Sequence, residues 1–173
     1  MQYQNYLLNV NKMEDAHDLN KLKTNGLSVT EMVNKLEGKD GEIIKENIKD
    51  YQPKKDILKK LSEKAKGFLF VVFSADWCKD CKVNVAAFAK MLLIEPSIEA
   101  VFFKGIKSAP LDPEVRWRIP PSPPEVNEFD LRKIPTFYVL DKKGKQVGEM
   151  IENPEIKSTL EEELLYILEN IQG

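Results

Sequence analysis

The chain has 173 residues, of which 42% are hydrophobic and 31% charged, a balance typical of a folded, water-soluble domain rather than of a disordered segment. Its net charge of −2 provides no basic excess for binding a nucleic-acid backbone or an anionic membrane. No apolar run approaches the roughly 20 residues of a membrane-spanning helix, and the N-terminus lacks the basic and apolar regions of a signal peptide. We therefore expect a cytoplasmic protein that binds neither nucleic acid nor membrane.

Residues 1–52 are polar and carry only short helical signals. The signals in residues 1–25 are weak and predict fraying or irregular helix. Ser28 and Glu31 have the spacing of a capping box, and Gly38 is a natural stop for the helix that follows. A second short amphipathic helix is marked by Ile43, Ile44 and Ile48. Because helices this short are unstable alone, we expect residues 1–52 to form a helical extension packed on the main domain.

The main domain is predicted to span residues 53–173. Residues 53–66 predict a helix, and the continuous apolar run 68–73 predicts a strand buried on both faces. A mostly buried helix follows the two cysteines and cannot extend beyond Pro96. Its expected inward residues are Val83, Val85, Ala86, Phe88, Ala89, Leu92 and Leu93. Residues 98–103 predict a second buried strand.

The second half of this domain begins with an interruption. Residues 105–124 contain six prolines and predict an ordered but irregular loop, followed by a helical turn at 126–132. Residues 136–140 and 146–151 predict two strands of a hairpin. Asn153 and Pro154 predict the cap and first residue of a C-terminal helix. The order of elements indicates an α/β fold.

The chemistry is predicted at the only two cysteines, Cys78 and Cys81. In a Cys-x-x-Cys run that opens a helix after a strand, the first thiol lies at the helix N-terminus, where free backbone N–H groups and the helix dipole favour a thiolate. The second thiol lies one turn further in and can attack a mixed disulfide on the first. This division makes Cys78 the nucleophile and Cys81 the resolving thiol of dithiol–disulfide exchange.

A pair of cysteines at this spacing also has three other interpretations. A zinc site needs four ligands, and the only histidine, His17, lies in the weakly patterned N-terminal region. A structural disulfide would close a very short loop and constrain little. Two inert core cysteines would not explain the polar neighbours Lys79 and Asp80. The redox interpretation is favoured, without a metal or a bound cofactor. Because no G-x-G-x-x-G run is present, we expect an external reductase or small thiol to supply electrons.

Residues 74–81, with the sequence Ser-Ala-Asp-Trp-Cys-Lys-Asp-Cys, together with Ile134-Pro135-Thr136, resemble the thioredoxin superfamily over roughly residues 54–173. The resemblance implies a thioredoxin fold: a central mixed sheet of about four strands flanked by helices. It also implies a cis Pro135 beside Cys78, an Ile134 backbone that pairs with an extended substrate, and Trp77 at the rim. Residues 26–32 and the Asp before the second cysteine resemble a bacterial and archaeal thioredoxin-like group with an N-terminal helical extension.

The leading hypothesis is a thiol–disulfide oxidoreductase that reduces cytosolic protein disulfides. Nothing in the sequence demands a dimer, so a monomer is expected. The alternative is a redox-linked binding or adaptor module with little turnover. The missing buried acid and the unusual N-terminal extension motivate it. Lys79 and Asp80 replace the Gly-Pro of thioredoxin and are expected to tune the redox potential, and Val72 replaces a buried acid. Asp76 and Asp80 could substitute for that acid or be solvated surface acids.

One further motif lies in the proline-rich loop. Arg116-Trp117-Arg118 could contact a substrate, or the tryptophan could seal the core between two solvated arginines.

Overall fold

The apolar run predicted as a buried strand forms β1, Leu69–Phe73, and all five of its residues are buried. In the computed structural model, which describes residues 16–108, 111–112 and 114–172, β1 is an inner strand of a four-stranded sheet. The other strands are β2 (Glu99–Phe103), β3 (Thr136–Leu140) and β4 (Gln146–Ile151). Apolar residues on both faces of β1 allow helices to pack above and below it.

The strand order is β2-β1-β3-β4, with β1 parallel to β2, antiparallel to β3, and β3 antiparallel to β4. A parallel pair needs a long crossover, which here is the helix α5, described below. The expected mixed sheet of about four strands flanked by helices is thus confirmed.

The helices in the described part of the chain are α1 (Leu19–Asn25), α2 (Val29–Asn34), α3 (Gly38–Asp50), α4 (Lys55–Lys64), α5 (Lys79–Ile94) and α6 (Leu160–Glu169). A short 3-10 helix at Pro124–Asn127 overlaps only the first two residues of the helical turn expected at 126–132. None of these helices combines the length and apolar character needed to cross a membrane.

The helices before residue 52 differ in part from expectation. The predicted capping box is present, with the Ser28 and Glu31 side chains each accepting an N–H of the other's backbone. The expectation of irregular helix was wrong for Leu19–Asn25, because the Asp18 side chain caps a regular helix there; residues 1–15 lie outside the described residues. Gly38 does not end α2 but opens α3, with a φ of 65°.

These N-terminal elements contact the sheet and its crossover helix. Leu27 exchanges two backbone hydrogen bonds with Phe102 at the outer edge of β2, with N···O distances of 2.9 and 2.8 Å. On the other side, the Asn47 amide of α3 donates to the Lys82 carbonyl in α5 at 2.8 Å. The segment therefore covers the open sheet edge and supports the helix that carries the cysteines.

Two predictions about helices were wrong. The C-terminal helix begins at Leu160, capped by Thr159, and not at Pro154. The Asn153 side chain is engaged elsewhere, and the Glu163 carboxylate accepts the backbone N–H groups of residues 156 and 157 in the intervening bends. In α5, Val83 and Leu93 are exposed rather than inward, because the sheet and the neighbouring helices cover only part of the helix.

The segment around His17 packs against the turn of the hairpin formed by β3 and β4. The His17 N–H donates to the Gly144 carbonyl at 2.9 Å, and the His17 ring stacks on Phe129 with centroids 4.1 Å apart. Gly144 has a φ of 81°, and a Cβ built there would lie 2.0 Å from the His17 carbonyl oxygen. Only glycine fits both the turn and the contact.

We expect Gly144→Ala to lower the free energy of unfolding by at least about 3 kcal/mol, because relieving the clash requires moving the His17 segment off the hairpin. Urea denaturation measures the loss. Gly38→Ala is the matched control: Gly38 has a φ of 65° but no atom within 4 Å of the added Cβ, so it should cost only about 1 kcal/mol. Equal losses for the two variants would show that the His17 contact is not rigid.

Candidate redox site

Cys78 is the N-cap residue of α5 and follows β1 by a short turn. Its extended backbone, with φ −73° and ψ 126°, lets its Sγ accept the Cys81 N–H at an N···S distance of 3.3 Å. The turn is fixed by two backbone bonds, from Ser74 N–H to the Phe103 carbonyl and from Cys78 N–H to the Ala75 carbonyl. The strand therefore delivers the first thiol to a helix N-terminus.

The two thiols are free and differ in burial. Cys78 retains 7% of its surface and Cys81 only 1%. A reagent or substrate can thus reach Cys78 first, while Cys81 lies behind it in the first turn of α5.

Their pKa values are displaced in opposite directions. The Cys81 thiol donates to Cys78 and lowers the pKa of Cys78 to about 7, with further lowering by the backbone N–H groups of Cys81 and Asp80. Burial and the charge of Asp80 oppose this change without reversing it. Burial, together with the hydrogen bond to Cys78, strongly raises the pKa of Cys81. One thiol is poised as a nucleophile and the other is held protonated.

Ile134 and Pro135 lie beside this pair. Cys78 Sγ is 3.6 Å from the Ile134 carbonyl oxygen, to which it donates as a thiol. The Ile134–Pro135 peptide bond is cis, and both residues are buried. The structure therefore brings the backbone that starts β3 into contact with the more exposed cysteine, 56 residues away in sequence.

Trp77 forms an exposed edge next to Cys78. It keeps 54% of its surface exposed, while its indole N–H donates to the Ile106 carbonyl at 3.3 Å. The base of the proline-rich loop is closed at the same point, where Lys107 N–H donates to Ser122 Oγ at 2.7 Å. An aromatic face is thus offered to solvent beside the thiol.

The charged neighbours of the pair are largely engaged by other groups. Lys82 lies 2.6 Å from Asp40 of α3 and so does not serve the thiols. Asp80 acts on Cys78 by raising its pKa, whereas Lys79 is exposed to solvent. The hydrogen bonds to Sγ, rather than a lysine, account for the lowered pKa of Cys78.

A group that the sequence interpretation missed is Asn84, with the turn residue Glu152 that it contacts. Asn84 is buried, one turn after Cys81, and its amide reaches across to the end of β4. The available signal was a lone polar residue within an otherwise apolar run of a buried helix.

Comparison with known proteins agrees with this arrangement. The family model described as Thioredoxin matches residues 26–107, which include β1, both cysteines and β2. This match supports a relation between residues 26–107 and the thioredoxin superfamily. None of the curated proteins matches it.

Two solved structures are similar to this chain. A protein of unknown function from Pseudomonas aeruginosa is 16% identical, with 92% of both chains covered and a TM-score of 0.46. An HIV epitope-scaffold is also 16% identical, with 94% of this chain and 93% of that chain covered and a TM-score of 0.45.

The buried acid of thioredoxin has no equivalent at its usual position in this chain. Val72 occupies that position and is fully buried. Asp76 is bound to Lys104 at 2.9 Å, and the same ammonium donates to the Lys35 carbonyl at 3.1 Å. Asp76 is therefore part of an ion pair that joins the turn before Cys78 to the residue that follows α2.

The remaining motif, Arg116-Trp117-Arg118, has a buried centre. Trp117 is 8% exposed and its indole N–H donates to the Arg132 carbonyl at 2.9 Å, while both flanking arginines are exposed. The tryptophan thus fastens the proline-rich loop to the segment that leads to Pro135. Among residues 16–108, 111–112 and 114–172, no three His, Cys, Asp or Glu side chains form a metal-binding cluster.

The pKa of Cys78 predicts its reactivity with iodoacetamide. The alkylation rate should rise as the pH is raised through about 7, because only the thiolate reacts. Cys81 should stay unmodified in the folded protein, as peptide mapping by mass spectrometry would show.

Cys81→Ala is the informative comparison, since it removes the strongest donor to Cys78 and should move the midpoint of the alkylation profile to higher pH. Faster modification of Cys81, or a midpoint for Cys78 near the ordinary thiol pKa, would contradict this assignment of the two thiols.

Proposed function

We propose that this chain is a thiol–disulfide oxidoreductase that reduces protein disulfides. The observation that carries the proposal is the asymmetry of the pair: Cys78 has a pKa of about 7 at the start of α5, and Cys81 lies buried behind it with a raised pKa. The match of residues 26–107 to the family model described as Thioredoxin supports a redox role in general. Reduction of protein disulfides in particular is the specific proposal.

The first step is attack by the Cys78 thiolate on one sulfur of a substrate disulfide. A new S–S bond forms to Cys78, the substrate bond breaks, and the other substrate sulfur leaves as a thiolate that takes up a proton. The low pKa of Cys78 supplies the nucleophile near neutral pH without a separate base.

In the second step Cys81 loses its proton and attacks Cys78 Sγ. The mixed disulfide breaks, the substrate leaves with its second thiol, and a Cys78–Cys81 disulfide remains. The negative charge on Cys78, which helps to raise the pKa of Cys81, is absent in the mixed disulfide, so Cys81 is easier to ionise at this point. Two electrons have passed to the substrate, and an external reductase or dithiol must return them.

The substrate segment is proposed to lie in extended conformation against Ile134, with Trp77 at its side. Ile134 is in contact with Cys78 Sγ through its carbonyl, and Trp77 presents an open aromatic face. Lys79 and Asp80 are proposed to tune the redox potential of the pair. The direction of electron flow proposed here, toward substrate, suits a reducing compartment such as the cytoplasm.

The proposal predicts turnover. In the presence of dithiothreitol, the wild-type protein should accelerate the reduction of insulin, followed by turbidity, whereas Cys78→Ser should abolish the acceleration because no other thiolate is accessible. Thr24→Ser, an exposed change in α1, is a control expected to behave as wild type. A wild-type rate equal to the protein-free rate would favour the adaptor alternative, which keeps the fold without turnover.

The two cysteine roles predict which variant captures substrate. Cys81→Ser should accumulate mixed disulfides through Cys78, because the resolving thiol is missing, and Cys78→Ser should not. Non-reducing electrophoresis with an oxidised model protein, followed by mapping of the linked peptide, measures this. Capture by Cys78→Ser in place of Cys81→Ser would reverse the assignment.

A further inference from the structure

Asn84 is a buried amide in the helix that carries the cysteines. It lies one turn after Cys81 in α5, retains 4% of its surface, and has the apolar residues Val85 and Ala86 next in the chain. A buried amide in such a setting is costly unless its polar atoms are bonded. Its partners therefore indicate what the residue does.

The Asn84 amide holds the turn that follows β4. Its Nδ2 group donates to the Glu152 carbonyl and to Asn153 Oδ1, both at 2.8 Å. These are long-range contacts, since 68 residues separate Asn84 from Glu152. Both N–H groups of the Asn84 amide thus bind adjacent residues of this turn, Glu152 and Asn153.

The turn is itself bound to the segment beside Cys78. The Glu152 N–H donates to the Pro135 carbonyl at 2.7 Å, and the Glu152 carboxylate accepts from Lys133 Nζ at 2.9 Å. Glu152 has a φ of 62°, a left-handed conformation that is unfavourable for a non-glycine residue and persists only where surrounding bonds fix it. Among the described residues it is the one non-glycine with a positive φ.

These contacts form a closed path. It runs from Asn84 to Glu152, from Glu152 to Pro135, and from the adjoining Ile134 carbonyl to Cys78 Sγ, which returns to α5. The Lys133–Glu152 ion pair adds little to this path, because both side chains are partly solvated. The buried amide is the fixed end of the path.

We propose that Asn84 is a positioning residue that sets the distance between the substrate-binding segment Ile134–Pro135 and the cysteine pair. The inference rests on the proposed function, since it deepens the role of the same site. Asn84 touches neither thiol in the contacts described and acts through Glu152. Two consequences follow, one for substrate binding and one for the Cys78 thiol.

The first consequence concerns protein substrates. If the Ile134 backbone pairs with an extended substrate, loss of the Asn84 amide lets this segment shift and weakens that pairing. We expect Asn84→Leu, which has similar size but no donor, to raise the KM for a protein disulfide about five- to tenfold. The kcat, and the rate with a small disulfide that does not contact the segment, should stay within about twofold.

The second consequence can be measured without turnover. The Ile134 carbonyl accepts the Cys78 S–H and so favours the protonated thiol. When the segment retreats in Asn84→Leu, the midpoint of the Cys78 alkylation profile should move to lower pH. If the wild-type protein reduced no disulfide, the proposed function would fail, and this shift would still decide the positioning role.

Two further variants complete the experiment. Asn84→Gln keeps the amide and should restore part of the wild-type KM and alkylation midpoint; it also serves if Asn84→Leu does not fold. Asn170→Ala removes an exposed amide that donates to the Tyr166 carbonyl at 2.8 Å in α6 and should match wild type. The proposal is overturned if the Asn84 variants reduce the rates with protein and small disulfides equally, or if they leave both KM and midpoint unchanged.

Discussion

The hydrogen bonds that reach Cys78 Sγ are the interaction on which this site depends. Burial of a sulfur raises the free energy of its thiolate, and Asp80 adds a repulsive charge. The Cys81 thiol and the N–H groups at the start of α5 outweigh both effects, so the pKa of Cys78 falls to about 7. This balance exists only while the turn after β1 holds Cys78 in its extended N-cap conformation, which makes the geometry of one turn the origin of the chemistry.

That turn is stiffened from outside the sheet. Asp76, two residues before Cys78, is bound to Lys104 at the end of β2, and Lys104 also contacts the Lys35 carbonyl after α2. On the far side of the pair, Lys82 is bound to Asp40 of α3. These ion pairs are partly exposed and contribute little stability individually. They engage Asp76 and Lys82 with other groups, while the hydrogen bonds to Sγ account for the lowered pKa of Cys78.

Local patterns in the sequence predicted most of the sheet and its helices, because each signal was contained in a few neighbouring residues. The apolar run of β1 and the capping box at Ser28 are examples, and both were confirmed. The start of α6 was predicted wrongly because Asn153 has a good local capping pattern, but its side chain is taken by Asn84, 69 residues away. The residues around Asn153 give no sign that Asn84 binds its side chain and so prevents it from capping a helix. For the same reason the sequence could suggest the cysteine pair but not the path through Glu152 that supports it.

An apolar residue at position 72, in place of a buried acid, affects the resolution of the mixed disulfide in the proposed reaction. A buried carboxylate could accept the Cys81 proton, but here the position is apolar and fully buried. Asp76 is held by Lys104, which removes the nearest acid before the pair from this role. The mixed disulfide removes the charge on Cys78 and with it one cause of the raised Cys81 pKa, while desolvation of Cys81, the largest cause, remains. In the proposed reaction, neither Val72 nor Asp76 offers a proton acceptor for the resolution of the mixed disulfide, so water or the departing substrate thiolate has to take the Cys81 proton.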